Sequence, residues 1–215
     1  MAVMRKSKTR EVTFLICEPC IQFISHQLMT DFIHHFQQYI EVSESLETEL
    51  ADRIERRVFK KGELVHNSNQ VCNETFFIQK GLLRLYFVRN GKEVSEYFCS
   101  EGEWVNSPRS FMFGKLDYYS IDAIEDTETY SINVEDLGYL FDNLPEMERY
   151  ARLSMGSMLY QIMERIASMR FHTALEKYDH FREVYRDIHP RIPLGMVASY
   201  LGITQETLSR IRRKP

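Results

Sequence analysis

Residues 192–215 read IPLGMVASYLGITQETLSRIRRKP, and this stretch decides how the rest of the chain is interpreted. Four apolar residues repeat at the spacing of one helix face: Leu194, Val197, Ala198 and Leu201. Gly202 predicts the end of that helix, because glycine enters the left-handed conformation without a steric penalty. Thr204 can cap a second helix, which would bury Leu208 and Ile211.

Two short helices joined by a tight glycine turn indicate a helix-turn-helix, whose second helix presents polar side chains to the major groove of DNA. The alternative is an ordinary helical hairpin with a charged face that is only solvated. We favour DNA binding because seven positions match the motif at once. These positions are Val197, Ala198, Leu201, Gly202, Ile203, Leu208 and Ile211.

Composition limits the class of protein. The chain has 215 residues and 44% hydrophobic content, enough for one large domain or two small ones. No run approaches the roughly 20 apolar residues that span a bilayer, so we expect a soluble protein with no membrane partner. The net charge is -4, yet five of the six charged residues from Arg191 onward are basic. This asymmetry predicts a DNA contact confined to the C-terminal end.

The four cysteines are too few for a disulfide framework in a chain of this length, which favours a reducing cytoplasm. Cys17 and Cys20 have the spacing of a metal or redox pair. A tetrahedral zinc site needs four ligands, and no second CxxC or CxxH completes this one. We therefore predict no metal site.

The N-terminal residues 1–28 form an extension of uncertain structure. Basic residues precede an apolar stretch, as in a signal peptide, but Glu11, Glu18 and Pro19 interrupt it and no small-residue cleavage site follows. Met29 begins a cleaner pattern, so we place residues 1–28 outside the fold, upstream of a second candidate start.

The spacing of apolar residues changes twice in the middle of the chain. From Phe32 the apolar residues follow helical spacing, and short β-rich runs then extend from Arg57 to Ile132. Asn90-Gly91 between two such runs is a strong hairpin signal, because both central residues of a type I′ turn need positive φ. Short strands at this spacing predict a compact antiparallel barrel or roll.

A long helix is predicted from Pro145 to about Arg170. Its apolar seam follows the 4, 3, 4, 3 spacing of a coiled coil: Met155, Leu159, Ile162, Ile166 and Met169. We expect a second copy of the chain to cover this seam. Packing on the protein's own roll is the alternative, since the seam is shorter than three to four heptads.

This order of parts resembles the Crp/Fnr family of transcription regulators. The local sequence resembles it too, at FKKGELV (Phe59–Val65), FFIQKGLLRLYFVRNGKEV (Phe76–Val94) and ASYLGITQETLSRIRR (Ala198–Arg213). The resemblance is to the subgroup that stops just after the recognition helix.

The resemblance implies an α+β fold in three parts. Residues 29–142 would form a cyclic-nucleotide-binding-like antiparallel β-roll that acts as sensor. Residues 143–172 would form a dimerisation helix, and residues 173–215 a helix-turn-helix DNA-binding domain. The implied partners are a second copy of the chain, a palindromic operator in double-stranded DNA and, as a further candidate, RNA polymerase.

The resemblance also assigns DNA contacts. In this family a Glu and an Arg four residues apart contact bases, and Glu206 and Arg210 occupy those positions. Such side chains suit cytosine N4 and guanine O6/N7, and a half-site similar to TTGA is implied. The full set of expected base contacts is Gln205, Glu206, Ser209 and Arg210. Expected phosphate contacts are Thr204, Thr207, Arg212, Arg213 and Lys214.

The sequence departs from the family at the ligand. The Gly-Glu and Arg-Ser pairs of members that bind cAMP are absent from residues 104–109 and 116–119, so we predict neither cAMP nor cGMP as effector. An iron–sulfur cluster is not expected either, because only two cysteines cluster near the N-terminus. The residues that could line an effector pocket are Arg84, Asn106, Ser107, Arg109, Tyr118 and Tyr119.

Two other classes of function compete with DNA binding. A catalytic role finds no support, since the chain lacks HxH, HExxH and GxSxG motifs and a Gly-rich phosphate loop. We therefore predict that it is not an enzyme and assign no catalytic residue. The stronger alternative is a ligand-binding regulatory module whose helical tail contacts proteins instead of DNA.

Overall fold

The computed structural model describes residues 32–213; the extension 1–28, Cys17, Cys20 and Lys214 lie outside this range. The described chain opens with two helices, α1 (residues 32–37) and α2 (Glu44–Arg53). Ser43 caps α2 by accepting a hydrogen bond from the backbone N–H of Leu46. Leu46 and Leu50 are one turn apart, and both are buried.

Eight strands and a short helix follow, where the sequence predicts β-rich runs. The strands are β1 (Glu55–Phe59), β2 (Leu64–His66), β3 (Glu74–Lys80), β4 (Leu83–Arg89), β5 (Lys92–Cys99), β6 (Trp104–Val105), β7 (Tyr119–Ala123) and β8 (Thr127–Asn133). Helix α3 (Pro108–Phe113) lies between β6 and β7. The strands form two antiparallel four-stranded sheets, ordered β1-β8-β3-β6 and β2-β7-β4-β5. The predicted antiparallel roll is therefore confirmed.

The hairpin between β4 and β5 confirms the prediction made from Asn90-Gly91. Both residues have positive φ, 53° for Asn90 and 72° for Gly91, as a type I′ turn requires. The strands on either side pair from Arg89–Lys92 back to Leu83–Cys99. The turn therefore fixes the register of the strand that later meets the C-terminal helices.

Two apolar cores surround the first sheet. Between the sheets lies a cluster of alternating inward residues: Phe76, Ile78, Leu83, Leu85, Cys99, Val105, Ile121 and Ala123. On the other side, helices α1, α2 and α4 (Val134–Asn143) pack on the sheet through Phe32, Phe36, Leu46, Leu50, Phe77, Tyr130, Ile132 and Leu140. Both clusters consist of residues removed from water, the main source of folding stability.

The long helix α5 (Pro145–Phe171) is anchored to the roll at its beginning. The Tyr150 hydroxyl accepts a hydrogen bond from Trp104 Nε1 at 2.8 Å and lies 2.7 Å from His35 Nε2. Burial lowers the pKa of His35 to about 4, so its ring is neutral at physiological pH. One hydroxyl thus joins α1, β6 and α5.

Three more α-helices complete the described chain, α6 (Ala174–Val184), α7 (Leu194–Leu201) and α8 (Gln205–Arg212), and a 3-10 helix at His189–Arg191 lies between α6 and α7. A capping box between Thr173 and Glu176 starts α6. In residues 32–213 no helix has the length and hydropathy needed to cross a membrane.

Candidate nucleic-acid interface

The turn between α7 and α8 has the geometry that the sequence predicts. Gly202 adopts φ 66° and ψ 32°, and its N–H bonds back to the carbonyls of Ala198 and Ser199. The N–H of Ile203 also bonds to the carbonyl of Ala198. These contacts close α7 and turn the chain sharply, because the left-handed residue reverses its direction.

Helix α8 begins at the predicted cap. The Thr204 hydroxyl accepts a hydrogen bond from the N–H of Thr207 at 3.2 Å, which satisfies one free donor of the first turn. Leu208 is buried in one cluster with Val197, Ala198 and Leu201 of α7, and Ile211 is buried on the same inner face of α8. The two helices therefore use their apolar residues on each other.

The opposite face of α8 is open to solvent. Five polar side chains line one shallow groove there: Gln205, Glu206, Ser209, Arg210 and Arg213. Hydrogen bonds from its own backbone N–H and from the Thr204 hydroxyl lower the pKa of Glu206, so it is a carboxylate at neutral pH. The groove thus offers a carboxylate acceptor and two guanidinium donors side by side.

The expected phosphate contacts lie around this groove. Arg212 and Arg213 are exposed near the end of α8, and Thr204 is exposed at its start. The Thr204 and Thr207 hydroxyls also bond to each other at 3.1 Å. Their placement suits the roles that the sequence assigns, and those roles stay predictions.

An aromatic cluster connects this pair of helices to the roll. Phe98 of β5 lies 5.7 Å from the Tyr185 ring and 5.6 Å from the Tyr200 ring, measured between centroids. Phe181 of α6 completes the cluster, 4.9 Å from Tyr185. Burial among these rings raises the pKa of the Tyr185 hydroxyl. This contact could not be predicted from the sequence, because it depends on tertiary packing.

Arg191 does not belong to the basic surface that the charge of the C-terminal end predicts. It counts among the basic residues of the C-terminal end, but its guanidinium bonds to the carboxylates of Glu101 and Glu125 on the roll. Those two acids neutralise it. The basic charge that remains for DNA lies at the end of α8.

The residues expected at an effector pocket fall into two places. Asn106, Ser107 and Arg109 flank the start of α3, and Tyr118 stacks on Tyr119 at 4.4 Å where β7 begins. These side chains are partly used within the protein: Asn106 bonds to Thr75, and Ser107 to the buried Asp117.

Arg84, the sixth residue expected at the pocket, is buried on β4 with its guanidinium already paired. It binds Asp122 through two hydrogen bonds of 2.9 and 2.6 Å, and Glu93 through a third of 2.8 Å. The guanidinium also lies over the Tyr86 ring.

The apolar seam of α5 is exposed in the single chain. Its five residues are between 42% and 62% accessible: Met155, Leu159, Ile162, Ile166 and Met169. None of the five is buried against the described part of the same chain. Its role as a dimer seam stays a prediction, since exposed apolar faces of this kind serve several kinds of interaction.

Cysteine and metal chemistry is limited in the described residues. Cys72 and Cys99 are buried free thiols, and burial raises the pKa of both. Within residues 32–213, no cluster of three or more His, Cys, Asp or Glu side chains could hold a metal ion.

Comparison with known proteins agrees with this geometry. The family model of the cyclic nucleotide-binding domain matches residues 56–143, the eight-stranded roll and α4. A protein of Eubacterium rectale assigned to the Crp/Fnr family of transcriptional regulators is similar in structure over 80% of this chain and 82% of its own, with a TM-score of 0.63 and 19% identity. This chain has the Crp/Fnr fold.

Two further structures share the Crp/Fnr fold with it. FixK2 from Bradyrhizobium japonicum is 18% identical over 74% of this chain and 82% of its own, with a TM-score of 0.64. CLP from Xanthomonas campestris, a regulator that responds to c-di-GMP, is 15% identical over 76% of this chain and 87% of its own, with a TM-score of 0.61. No curated protein matches the sequence significantly.

The turn at Gly202 generates a stability prediction. Gly202→Ala should cost about 1 kcal/mol, because a residue with a Cβ is strained at positive φ, whereas the space around it is empty. Gly202→Asn should cost less, since asparagine tolerates this conformation. Gly138→Ala on α4 is the matched control, also in open space but without positive φ, and should be neutral or stabilising.

Denaturant unfolding of the three variants measures these differences. Equal stability of wild type and Gly202→Ala would contradict the left-handed turn.

Proposed function

We propose that this chain is a dimeric, sequence-specific DNA-binding transcription regulator of the Crp/Fnr family that acts in the cytoplasm without catalytic activity. The observation that carries the proposal is the polar face of α8, which is exposed while Leu208 and Ile211 are buried. A helix held in this way can enter the major groove, where Arg210 would donate to guanine and Glu206 would accept from cytosine N4.

The side chains on the exposed face of α8 support DNA, and not a protein, as the ligand of this face. The groove on α8 is lined by three charged and two neutral polar residues, and none of the five is an apolar residue. Protein interfaces usually bury aromatic or aliphatic anchors at their centre, whereas nucleic-acid interfaces are polar and basic. Gln205 and Ser209 add side chains that can bond to base edges.

Dimerisation follows from the seam on α5. Residues 155–169 leave a row of apolar side chains in water, and covering that row is favourable. A second copy is the proposed partner, because side chains at the 4, 3, 4, 3 spacing on one helix fit between those at the same spacing on another. Two-fold symmetry would place two recognition helices one turn of DNA apart, which requires a palindromic operator. RNA polymerase is a candidate partner of the complex bound to DNA.

The effector of the proposed regulator is not a cyclic mononucleotide. Arg84, the buried guanidinium of the roll, is already neutralised by Asp122 and Glu93. Asp117 is buried at the start of the loop into β7 and would repel a cyclic phosphate. CLP shows that this fold is used with other ligands, and the residues near α3 are the proposed place for one.

Arg210→Ala should weaken binding to a selected operator by about 1–3 kcal/mol and relax the preference at one base position. Arg213→Ala, a phosphate contact, should weaken binding to all sequences and lower the salt slope by about 1. Arg89→Ala, which removes the same charge from the β4–β5 hairpin, is the control and should have no effect on specificity.

Fluorescence anisotropy between 50 and 200 mM salt measures these effects. A half-site similar to TTGA is expected from binding-site selection. No effect of Arg210→Ala would remove its role as a base contact, and an absence of salt-dependent DNA binding would favour the protein-docking alternative.

Ile162→Glu should weaken dimerisation on the order of 100-fold, because two carboxylates would be buried against each other in the seam. Operator binding should fall with it. Ser157→Glu, exposed on another face of α5, is the matched control and should remain dimeric. Analytical ultracentrifugation gives the oligomeric state, and a dimeric Ile162→Glu variant would contradict this interface.

Isothermal titration should detect no micromolar binding of cAMP or cGMP to the wild-type protein. We expect this result because the described residues of the roll offer no free buried cation for the cyclic phosphate. Micromolar binding of either nucleotide would overturn this part of the proposal.

A further inference from the structure

The outer edge of strand β5 meets the C-terminal helices. In the sheet ordered β2-β7-β4-β5, β5 is the last strand and pairs with β4 alone. An edge strand leaves half of its backbone N–H and C=O groups without a strand partner. Ser95, in the middle of β5, is only 1% exposed, so a side chain and not water must satisfy its outward N–H.

A β-bulge marks the same point. Leu85 pairs with Tyr97, but the next residue, Tyr86, pairs with Ser95, so Glu96 is the extra residue on β5. A bulge bends its strand and redirects the groups of the extra residue. The Glu96 carbonyl is therefore available to a partner other than β4.

Ser199 of α7 satisfies two groups of the edge. Its hydroxyl accepts a hydrogen bond from the N–H of Ser95 and donates one to the carbonyl of Glu93, both at 3.0 Å. The hydroxyl thus takes the place of a neighbouring strand at this position. Because α7 is the first helix of the helix-turn-helix, this contact fixes the distance between the motif and the roll.

Arg165 of α5 bonds to Glu96, the extra residue of the bulge. Its guanidinium donates to the carbonyl of Glu96 and, at 2.9 Å, to the Glu96 carboxylate. The same guanidinium lies over the Tyr200 ring of α7, with its carbon 4.4 Å from the ring centroid. One side chain of the proposed dimer helix therefore contacts both the roll and the helix-turn-helix.

The chain needs such a contact because the connection itself is short and open. Between the end of α5 at Phe171 and the start of α6 at Ala174 lie only two residues, and Phe171 is 80% exposed. A joint of this kind leaves the direction of α6 and of the motif undetermined by the backbone. The contacts on β5 leave the polar groove of α8 open, so they orient the motif without covering it.

We propose that Ser199 and Arg165 are positioning residues, which dock the helix-turn-helix on the edge of β5 and thereby set the spacing between the two recognition helices of a dimer. The inference rests on the proposed function, since it concerns how DNA half-sites are matched. A dimer reads two half-sites at a fixed separation, and a motif that turns freely would lose that discrimination.

Ser199→Ala and Arg165→Met test the proposal, with Ser45→Ala on the exposed face of α2 as the matched control. Two quantities are measured for each variant and for wild type. The first is hydrogen exchange at the Ser95 amide. The second is affinity for the selected operator, for operators whose half-site spacing is changed by one base pair, and for non-specific DNA.

Ser199→Ala should raise exchange at Ser95 and weaken binding to the selected operator roughly tenfold, since the N–H of the buried Ser95 loses its partner. Affinity for altered spacings and for non-specific DNA should be unchanged, so the preference for one spacing decreases. Arg165→Met should reduce the same preference without changing contacts to bases. Ser45→Ala should match wild type in both measurements.

An unchanged spacing preference in both variants would overturn the proposal. Tighter DNA binding by Ser199→Ala would also overturn it, because the contact would then restrain the motif instead of orienting it. A separate measurement shows whether the proposed function itself fails. In that case the Arg210→Ala variant would bind the operator as tightly as wild type does. If only the positioning role fails, the effect of Arg210→Ala remains.

Discussion

The packing of Phe98 against Tyr185 and Tyr200 is the contact on which the rest of the structure depends. It places an aromatic side chain of the roll inside the core of the C-terminal helices, so the two parts share one buried cluster with Phe181, Val197, Leu201 and Leu208. Aromatic rings contribute large buried areas and prefer a limited set of mutual geometries, which favours one arrangement of the parts. Because α7 uses its apolar face in this cluster, α8 can bury Leu208 and Ile211 and still present its polar face to solvent.

Polar contacts at the same interface then define the orientation of the C-terminal helices on the roll. The aromatic cluster is apolar and permits some sliding, whereas a hydrogen bond requires a particular distance and angle. Arg191 bonds to Glu101 and Glu125 at one side of the cluster. Burial among the rings of this cluster raises the pKa of Tyr185, so the hydroxyl stays neutral at physiological pH. The charged groups that contact this interface, Arg165 and Arg191, are each paired with a carboxylate and are partly buried.

Local signals in the sequence were sufficient for much of the fold. Gly202 and Thr204 specify the turn and the cap of the helix-turn-helix through their own backbone preferences, and Asn90-Gly91 specifies a hairpin in the same way. The apolar period of α5 predicts the row of exposed apolar side chains that the structure has on this helix. Each of these features depends on residues close together in the chain, which is why a single sequence predicts them.

Features that depend on distant residues could not be predicted. Arg191 looked available for DNA because the sequence does not show that Glu101 and Glu125 lie beside it, 90 and 66 positions away. Arg84 looked available for an anion, although strand pairing brings Asp122 to it from β7. Ser199 carries no signal at all, since a serine on a helix is ordinary until an unpaired strand edge is placed against it.

Methylation protection at guanine N7 on a selected operator tests the central claim most directly, because N7 is exposed in the major groove. If α8 is a recognition helix, two symmetric groups of guanines should be protected, about 10 base pairs apart on one face of the duplex. Arg210→Ala should remove protection at one guanine in each group. Binding that protects no guanine N7, or protects a single unpaired site, would contradict a dimer reading two major grooves.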